Sequence, residues 1–281
     1  MSKAKVSDLR KYYPDMESAD RDYPPLKFKS LKGRVSAAEW QARVDCACAY
    51  RLVRHYGMDD LVYNHISARI SSTDEFLLNP FGLLYEEICA SSLIKVNLKG
   101  EVLWQPEWPK GLDYTFNLAG FVIHGAIHEA KPELHCVIHT HSLASMAVAS
   151  LKKGLLPMTQ TAMRFARVAY HDYEGVAIEM DERKRLVKNL GESDVMLLRN
   201  HGALSVGRSV AEAFNSMYRL ERACRSQLLA QACSDEMLLP SAALMEKTSH
   251  MYKRGVRRVV GLLEWPAMRR LADRIDPSYK T

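Results

Sequence analysis

His139 and His141 close the apolar run His135-Cys136-Val137-Ile138, one residue apart. In a strand, residues two apart share a face, so this spacing predicts two imidazoles projecting side by side, roughly 7 Å apart at their bases. Burying such a pair is costly unless something satisfies both rings, and a divalent cation does so as a chelate. A third candidate, His201, stands in Arg199-Asn200-His201-Gly202, directly after the apolar run Val195-Met196-Leu197-Leu198. Strand ends are where open α/β sheets carry their ligands. Three neutral imidazoles around an open position make a catalytic metal site. His135 shares the strand face but lies four residues back, roughly 13 Å away, too far for the same coordination sphere. His55 near a helix end, His128 on a helix surface and His250 in a polar tail read as structural.

The elements that must hold these side chains follow from periodicity. Residues 1–35, with Pro24-Pro25, read as an extended arm. Ser36 and Glu39 form a capping box, Trp40, Val44, Ala47, Cys48 and Leu52 recur at helical spacing, and Gly57 stops the helix. From Leu61 to Ile70 apolar and polar residues alternate, with Ile66, Ala68 and Ile70 on one face and His65, Ser67 and Arg69 on the other, the pattern of a half-buried strand. Phe76 to Asn79 is its neighbour, and Ile94–Asn97 with Glu101–Leu103 forms a hairpin turning at Gly100. Asp113 is expected to cap a helix running to Ala130, which Pro132 ends. After the HxH strand, Ser142 opens a short helix. Val168–Tyr170 is a strand leading into the polar loop His171 to Gly175, and Asp181 caps a helix ended by Gly191. The Val195 strand reaches His201, where Gly202 is expected to permit a backbone conformation that a side chain forbids, and Ala203–Gly207 returns as a strand. Ser209 and Glu212 start a long helix with a core stripe of Phe214, Met217, Leu220, Cys224 and Leu228. Residues 36–235 then form one domain, and 236–281 a helical extension that wraps the domain or a neighbouring subunit.

The chain has 281 residues, 47% of them hydrophobic, enough for an ordinary core. Its net charge of +6 comes from 39 basic and 33 acidic residues, largely from clusters such as Lys253-Arg254 and Arg257-Arg258 that read as solvated surface. No nucleic-acid reading motif accompanies them, so no nucleic acid partner is expected. The six cysteines are scattered without a C-x-x-C pair and read as reduced core residues. No segment has the pattern of a signal peptide or membrane span, so a cytoplasmic protein with no membrane partner is expected. G-x-G-x-x-G, P-loop and G-x-S-x-G patterns are absent from the sequence.

Several ordered motifs resemble the class II aldolase/adducin family: Asn64-His65-Ile66-Ser67-Ala68-Arg69, Asn79-Pro80-Phe81-Gly82-Leu83-Leu84-Tyr85-Glu86, Asn117-Leu118-Ala119-Gly120-Phe121, Pro132 to Ser142, and Arg199-Asn200-His201-Gly202. The resemblance covers about Ala37 to Ala232. It implies a single three-layer α/β/α domain with a mostly antiparallel central sheet, assembled as a homo-oligomer, usually a ring-like tetramer with sites between subunits. It also implies a divalent metal on His139, His141 and His201, typically zinc, with iron, manganese or cobalt as alternatives. In the sugar-phosphate aldolases of the family this metal polarises substrate oxygens and stabilises an enediolate, and decarboxylating members use the same logic.

Departures from those aldolases narrow the reading. Alignment back from Pro132 puts Gly120 where their catalytic glutamate stands, and Leu118-Ala119 where a serine pair binds phosphate. Phe81 replaces a threonine of the same phosphate site, while Asn64 and Gly82 remain. An unphosphorylated small-molecule substrate is therefore expected, with Asn64, Gly82, Asn117 and Tyr173 as contact candidates. His124, one helical turn beyond Gly120, is the first candidate to replace the acid/base, followed by Tyr85 and His171 and, more weakly, Asp172 and Tyr173. Ala90 to Asn97 and Val168 to Gly175 are closer to the adducin head. Three functions are thereby framed: a metal-dependent aldolase or decarboxylase, a non-catalytic oligomerisation module like the adducin head, and a non-haem iron oxygenase.

Overall fold

All eight expected strands form: β1 (His65–Arg69), β2 (Glu75–Leu78), β3 (Ile94–Asn97), β4 (Val102–Trp104), β5 (Cys136–Thr140), β6 (Ala169–His171), β7 (Val195–Leu198) and β8 (Gly202–Gly207). They join one sheet in the order β4-β3-β2-β1-β5-β8-β7-β6. The structure, a computed structural model, describes residues 25–71, 73–110, 112–165, 168–175, 180–253, 256 and 259–281, the side chains of 180–182 excepted. The sheet is mixed, though largely antiparallel. Its one parallel pair among the described residues, β6 with β7, follows from the helix α5 (Met180–Leu190) between them, because a parallel neighbour needs a crossover connection.

Both faces of the sheet are covered. On one side α1 (Ala37–His55) and α6 (Val210–Cys233) meet Ile66, Ala68, Cys136, Ile138, Leu197 and Ala203 in the larger core. On the other, α2 (Leu118–Ala130) and α5 bring Val122, Ile123, Ile127, Leu186 and Leu190 against Val137, Met196, Leu204 and Val206. The strand expected over Leu61–Ile70 is shorter and is buried on both faces. Its polar residues His65 and Ser67 lie under α2, whose own buried polar residues, His124 and His128, satisfy them. His128, expected on a surface, is fully buried. Polar alternation alone cannot tell a solvated face from one covered by polar partners.

Helix starts follow their caps. Ser36 Oγ accepts the Glu39 amide and Ser209 Oγ the Glu212 amide, the serine half of each expected capping box, whereas the Glu39 carboxylate binds Arg43 and Lys95 and Glu212 Oε2 takes the Arg208 amide. The cap of helix α2, however, is Asn117, four residues after Asp113, because the bridge between Pro80 and Phe116 keeps the preceding chain extended. Ser142 precedes α3 (Leu143–Ala149) without a side-chain cap bond. The acceptor there is instead the buried Glu221, whose Oε2 takes the Ser145 amide and the hydroxyls of Ser142 and Ser145. Asp181 falls inside α5, and its side chain lies outside the described residues, as do the first 24 residues of the expected arm and Arg254, Arg257 and Arg258.

Two further segments close on the core. The Leu31 amide binds Ser91 Oγ at 2.9 Å. Beyond α7 (Ala242–Tyr252), α8 (Trp265–Ile275) and a 3₁₀ turn (Pro277–Lys280) return to α1: Trp265 Nε1 donates to Asp45 at 3.0 Å, and Tyr279 is fully buried with its carbonyl accepting the Ala90 amide. Five cysteines are buried and Cys233 is exposed, all unpaired. No described helix is long and apolar enough to cross a membrane.

Candidate metal centre

Register puts the histidines together. In the β1–β5 ladder His65 pairs with His139, and in β5–β8 His139 pairs with Leu204 and Thr140 with Ala203. The turn from β7 to β8 therefore delivers His201 beside the end of β5. Ligand nitrogens of His139, His141 and His201 all lie within 4.8 Å of one another. The turn works by different means than its sequence implied. The left-handed residue is Asn200, at φ 56°. Gly202 is needed for space, since a Cβ there would stand 2.5 Å from the Thr140 carbonyl oxygen and 3.1 and 3.3 Å from the rings of His141 and His139.

Hydrogen bonds orient two of the three rings. His139 Nδ1 donates to the Ala203 carbonyl at 3.0 Å, and His141 Nδ1 to the Asp60 carboxylate at 2.9 Å. Acceptor-only partners at Nδ1 leave Nε2 of each neutral ring with a bare lone pair. Yet the two Nε2 atoms face each other at 3.1 Å. Two lone pairs at that distance repel unless a cation stands between them. A proton would serve for two nitrogens, but it has no use for the third imidazole; a metal does. Nitrogens about 2.05 Å from a tetrahedral centre are themselves about 3.3 Å apart. The donor set thus fits a divalent metal, with carbonyl and carboxylate behind the ligands in the usual supporting arrangement.

Burial favours the neutral form of two of the rings, His139 and His201, as metal ligation requires. It holds His139 well below the ordinary imidazole range, with the neighbouring rings of His65, His201 and His141 adding to the effect. His201 is lowered to about 4, again first by burial and then by His141 and His171. His139 is 1% exposed, whereas His141 and His201 are half-buried, so the cluster opens to solvent on one side.

Around this cluster the expected contact residues divide. Asn64 is buried and accepts the His141 amide with Oδ1 at 3.1 Å, while its Nδ2 has no partner among the described residues. Tyr173, 55% exposed, sets its ring 6.0 Å from that of His201. His171 ends β6 beside them, its Nδ1 accepting from Asn189 at 2.9 Å. Asn117 is spent as a helix cap, its Oδ1 taking the amides of Ala119 and Gly120. Gly82, at φ 107°, packs its backbone on the Tyr114 ring, and no described contact ties it to the imidazoles.

Two acid/base candidates lie elsewhere than expected. Tyr85 is fully buried edge-on against Tyr50, with ring centroids 4.6 Å apart, and its hydroxyl finds no partner among the described residues. A core tyrosine whose hydroxyl burial pushes well above its ordinary range is no proton donor to a ligand. His124 is also fully buried, and both its ring nitrogens are engaged, Nε2 by His65 and Nδ1 by Ser67. His65 instead stands between His124 and the metal ligands, its ring 4.9 Å from that of His139. The sequence alone does not reveal Asp60 as a partner of His141 or the place of His65 beside His139. Asp60 carries no periodic signal, but His65 and Ser67 at strand spacing opposite His124 and His128 at helical spacing are a pattern that could have been paired.

The chain belongs to the class II aldolase/adducin family: the model of the Class II Aldolase and Adducin N-terminal domain matches residues 44–228. An aldolase II superfamily protein from Pseudomonas syringae has a solved structure similar to it, with 41% identity and a TM-score of 0.83 over 89% of this chain and 99% of that one. L-fuculose 1-phosphate aldolase from Glaciozyma antarctica is 26% identical, with a TM-score of 0.75 over 92% and 97% of the two chains. Alpha-adducin of Rattus norvegicus is 45% identical over 204 residues, which are 70% of this chain but 27% of adducin.

Proposed function

We propose that this protein is a metal-dependent lyase, an aldolase or decarboxylase, acting on a small unphosphorylated hydroxy-carbonyl or carboxylate substrate. The observation that carries the reading is the pair of bare Nε2 atoms of His139 and His141 facing each other at 3.1 Å with His201 as the third ligand. Bound there, a divalent metal, zinc in our reading, supplies a Lewis acid for substrate oxygens. The chain's own residues do the rest. Asn64 holds the His141 backbone and offers an unspent amide hydrogen to a bound oxygen. Tyr173 borders the open side of the cluster, and the buried His171 lines the same small pocket as Tyr173 and His201. Similarity to a fuculose phosphate aldolase supports carbon-carbon chemistry, while Leu118, Ala119 and Phe81 give a phosphate no donor side chain. The exposed apolar side chains Leu61, Tyr63 and Leu143, each close in sequence to a site residue, support a homo-oligomer whose copies meet near the site.

The test is metal content of wild type and His139→Ala, followed by turnover of the loaded protein on short hydroxy-ketones, hydroxy-acids and keto-acids. Metal bound by wild type alone, with cleavage or carbon dioxide release, is the expected result. A wild type that resists metal reconstitution would support the second reading, an adducin-like interaction module, which the adducin similarity and the missing carboxylate at Gly120 favour.

A further inference from the structure

Behind the metal ligands runs a buried hydrogen-bond chain whose direction is fixed at its far end. His128 Nδ1 lies 3.1 Å from the Leu134 carbonyl oxygen, which only accepts, so Nδ1 carries the hydrogen and Nε2 is bare. Ser67 Oγ, 2.8 Å from that Nε2, must donate to it. With its one hydrogen spent, Oγ accepts from His124 Nδ1 at 2.7 Å. That leaves His124 Nε2 bare, 2.8 Å from Nδ1 of His65, which must therefore be the donor. The last ring in the row, His65, is left with a bare Nε2. No described residue donates to it, and the neighbour at that ring edge is Gly120, where a Cβ would stand 2.9 Å from Nε2 and 2.6 Å from Cδ2. The absence of a side chain at position 120 is what makes room for this ring.

We propose that His65, and not His124, accepts the hydrogen that the ligand of the three imidazoles gives up, with the row His124, Ser67, His128 and the Leu134 carbonyl acting as a positioning device that keeps its Nε2 bare. The role rests on the lyase reading; the tautomer does not. In the step assigned to it, a carbon-hydrogen bond of the ligand breaks, the proton goes to Nε2, and the bonding pair stays on the ligand as its enolate. The row ends on a carbonyl and cannot carry the proton away. It therefore orients His65 and does not conduct, so the proton returns to the ligand or leaves by the solvent side of the site.

Two measurements on the zinc-loaded full-length protein test this. Nitrogen-15 shifts report each ring's tautomer, and His65, His124 and His128 are all expected to be Nδ1-H. In Ser67→Ala, His124 loses the acceptor that holds its hydrogen at Nδ1, so the His65–His124 pair is free to reverse and His65 shows Nε2-H. Carbon-bound hydrogen exchange of dihydroxyacetone in D₂O reads the role. His65→Gln should slow it by about 100-fold and Ser67→Ala by about tenfold at unchanged zinc content, with Ser67→Thr restoring it. Nε2-H on His65 in wild type overturns the proposal whatever the activity. Exchange by wild type that His65→Gln does not slow overturns it while sparing the lyase reading. A wild type inert toward dihydroxyacetone and the other short hydroxy-ketones counts against both the lyase reading and the role of His65, even where its Nε2 is bare.

Discussion

Asp60 Oδ2 accepts the hydrogen of His141 Nδ1 at 2.9 Å, and this bond aims the opposite nitrogen of the ring at Nε2 of His139. The carboxylate does not face the cluster itself. It fixes which nitrogen is bare and makes that nitrogen a better donor to a cation. Asp60→Asn should weaken metal binding by about 10- to 100-fold without loss of fold, and competition against a chelator of known affinity measures the change. An unchanged affinity would mean that the ring is held by its strand alone.

Gly120 and His65 are expected to behave as a coupled pair. Adding a methyl group at Gly120 drives it within 2.6–2.9 Å of three atoms of the His65 ring, and that ring is tied to His124 and cannot swing freely. Gly120→Ala should cost about 1–3 kcal/mol in urea unfolding, the usual range for overpacking. The cost should largely vanish in the double variant with His65→Val, a coupling readable as non-additivity. Gly120→Glu alone, although it writes back the carboxylate of related aldolases, should be the least stable of the set.

The fold was legible where chemistry and periodicity are local. His139 and His141 announced themselves by a spacing of two, and the run before His201 by its apolar content, because strand geometry turns those counts directly into directions. His65 was not legible in the same way. Its neighbours alternate as a half-solvated strand does, and nothing in Leu61 to Ile70 says that the polar face will meet two helical histidines from a segment nearly sixty residues away. The placement of two acid/base candidates was hidden for the same reason. Tyr85 and His124 have suitable side chains, but whether each reaches the cluster depends on packing between elements, and both are sealed in the core. Asn117 was seen as a contact residue when its oxygen was needed by the first turn of a helix.

Acid should destabilise the protein in a window set by its buried neutral histidines. Burial, with Arg69 nearby, lowers His128 to about 3, against about 6.5 in an unfolded chain. The folded state thus resists protonation while the unfolded state accepts it. Stability is present in full above pH 6.5 and falls through the window down to about pH 3, by about 1.4 kcal/mol per pH unit for each such group. Urea unfolding of metal-free protein between pH 7 and 5 should show this slope, and His128→Gln should reduce it by about one proton. A slope that the substitution leaves unchanged would mean that His128 is already charged in the fold.

The turn carrying His201 offers a separation of backbone from ligand effects. Asn200 occupies the left-handed region at φ 56°, where glycine is easier than any other residue, so Asn200→Gly should leave metal binding within about twofold of wild type and Asn200→Val should destabilise by about 1–2 kcal/mol. Gly202 stands in no such region. Its constraint is the Thr140 carbonyl 2.5 Å from where a Cβ would lie, with the rings of both His141 and His139 just beyond. Gly202→Ala must push β8 away from β5 or displace those rings, and either movement separates His201 from the other two ligands. Zinc content of purified Gly202→Ala should therefore fall below one-tenth of wild type while Asn200→Val, though less stable, still binds the metal. The opposite order would place the control of the site in the strained backbone and not in the space between the strands.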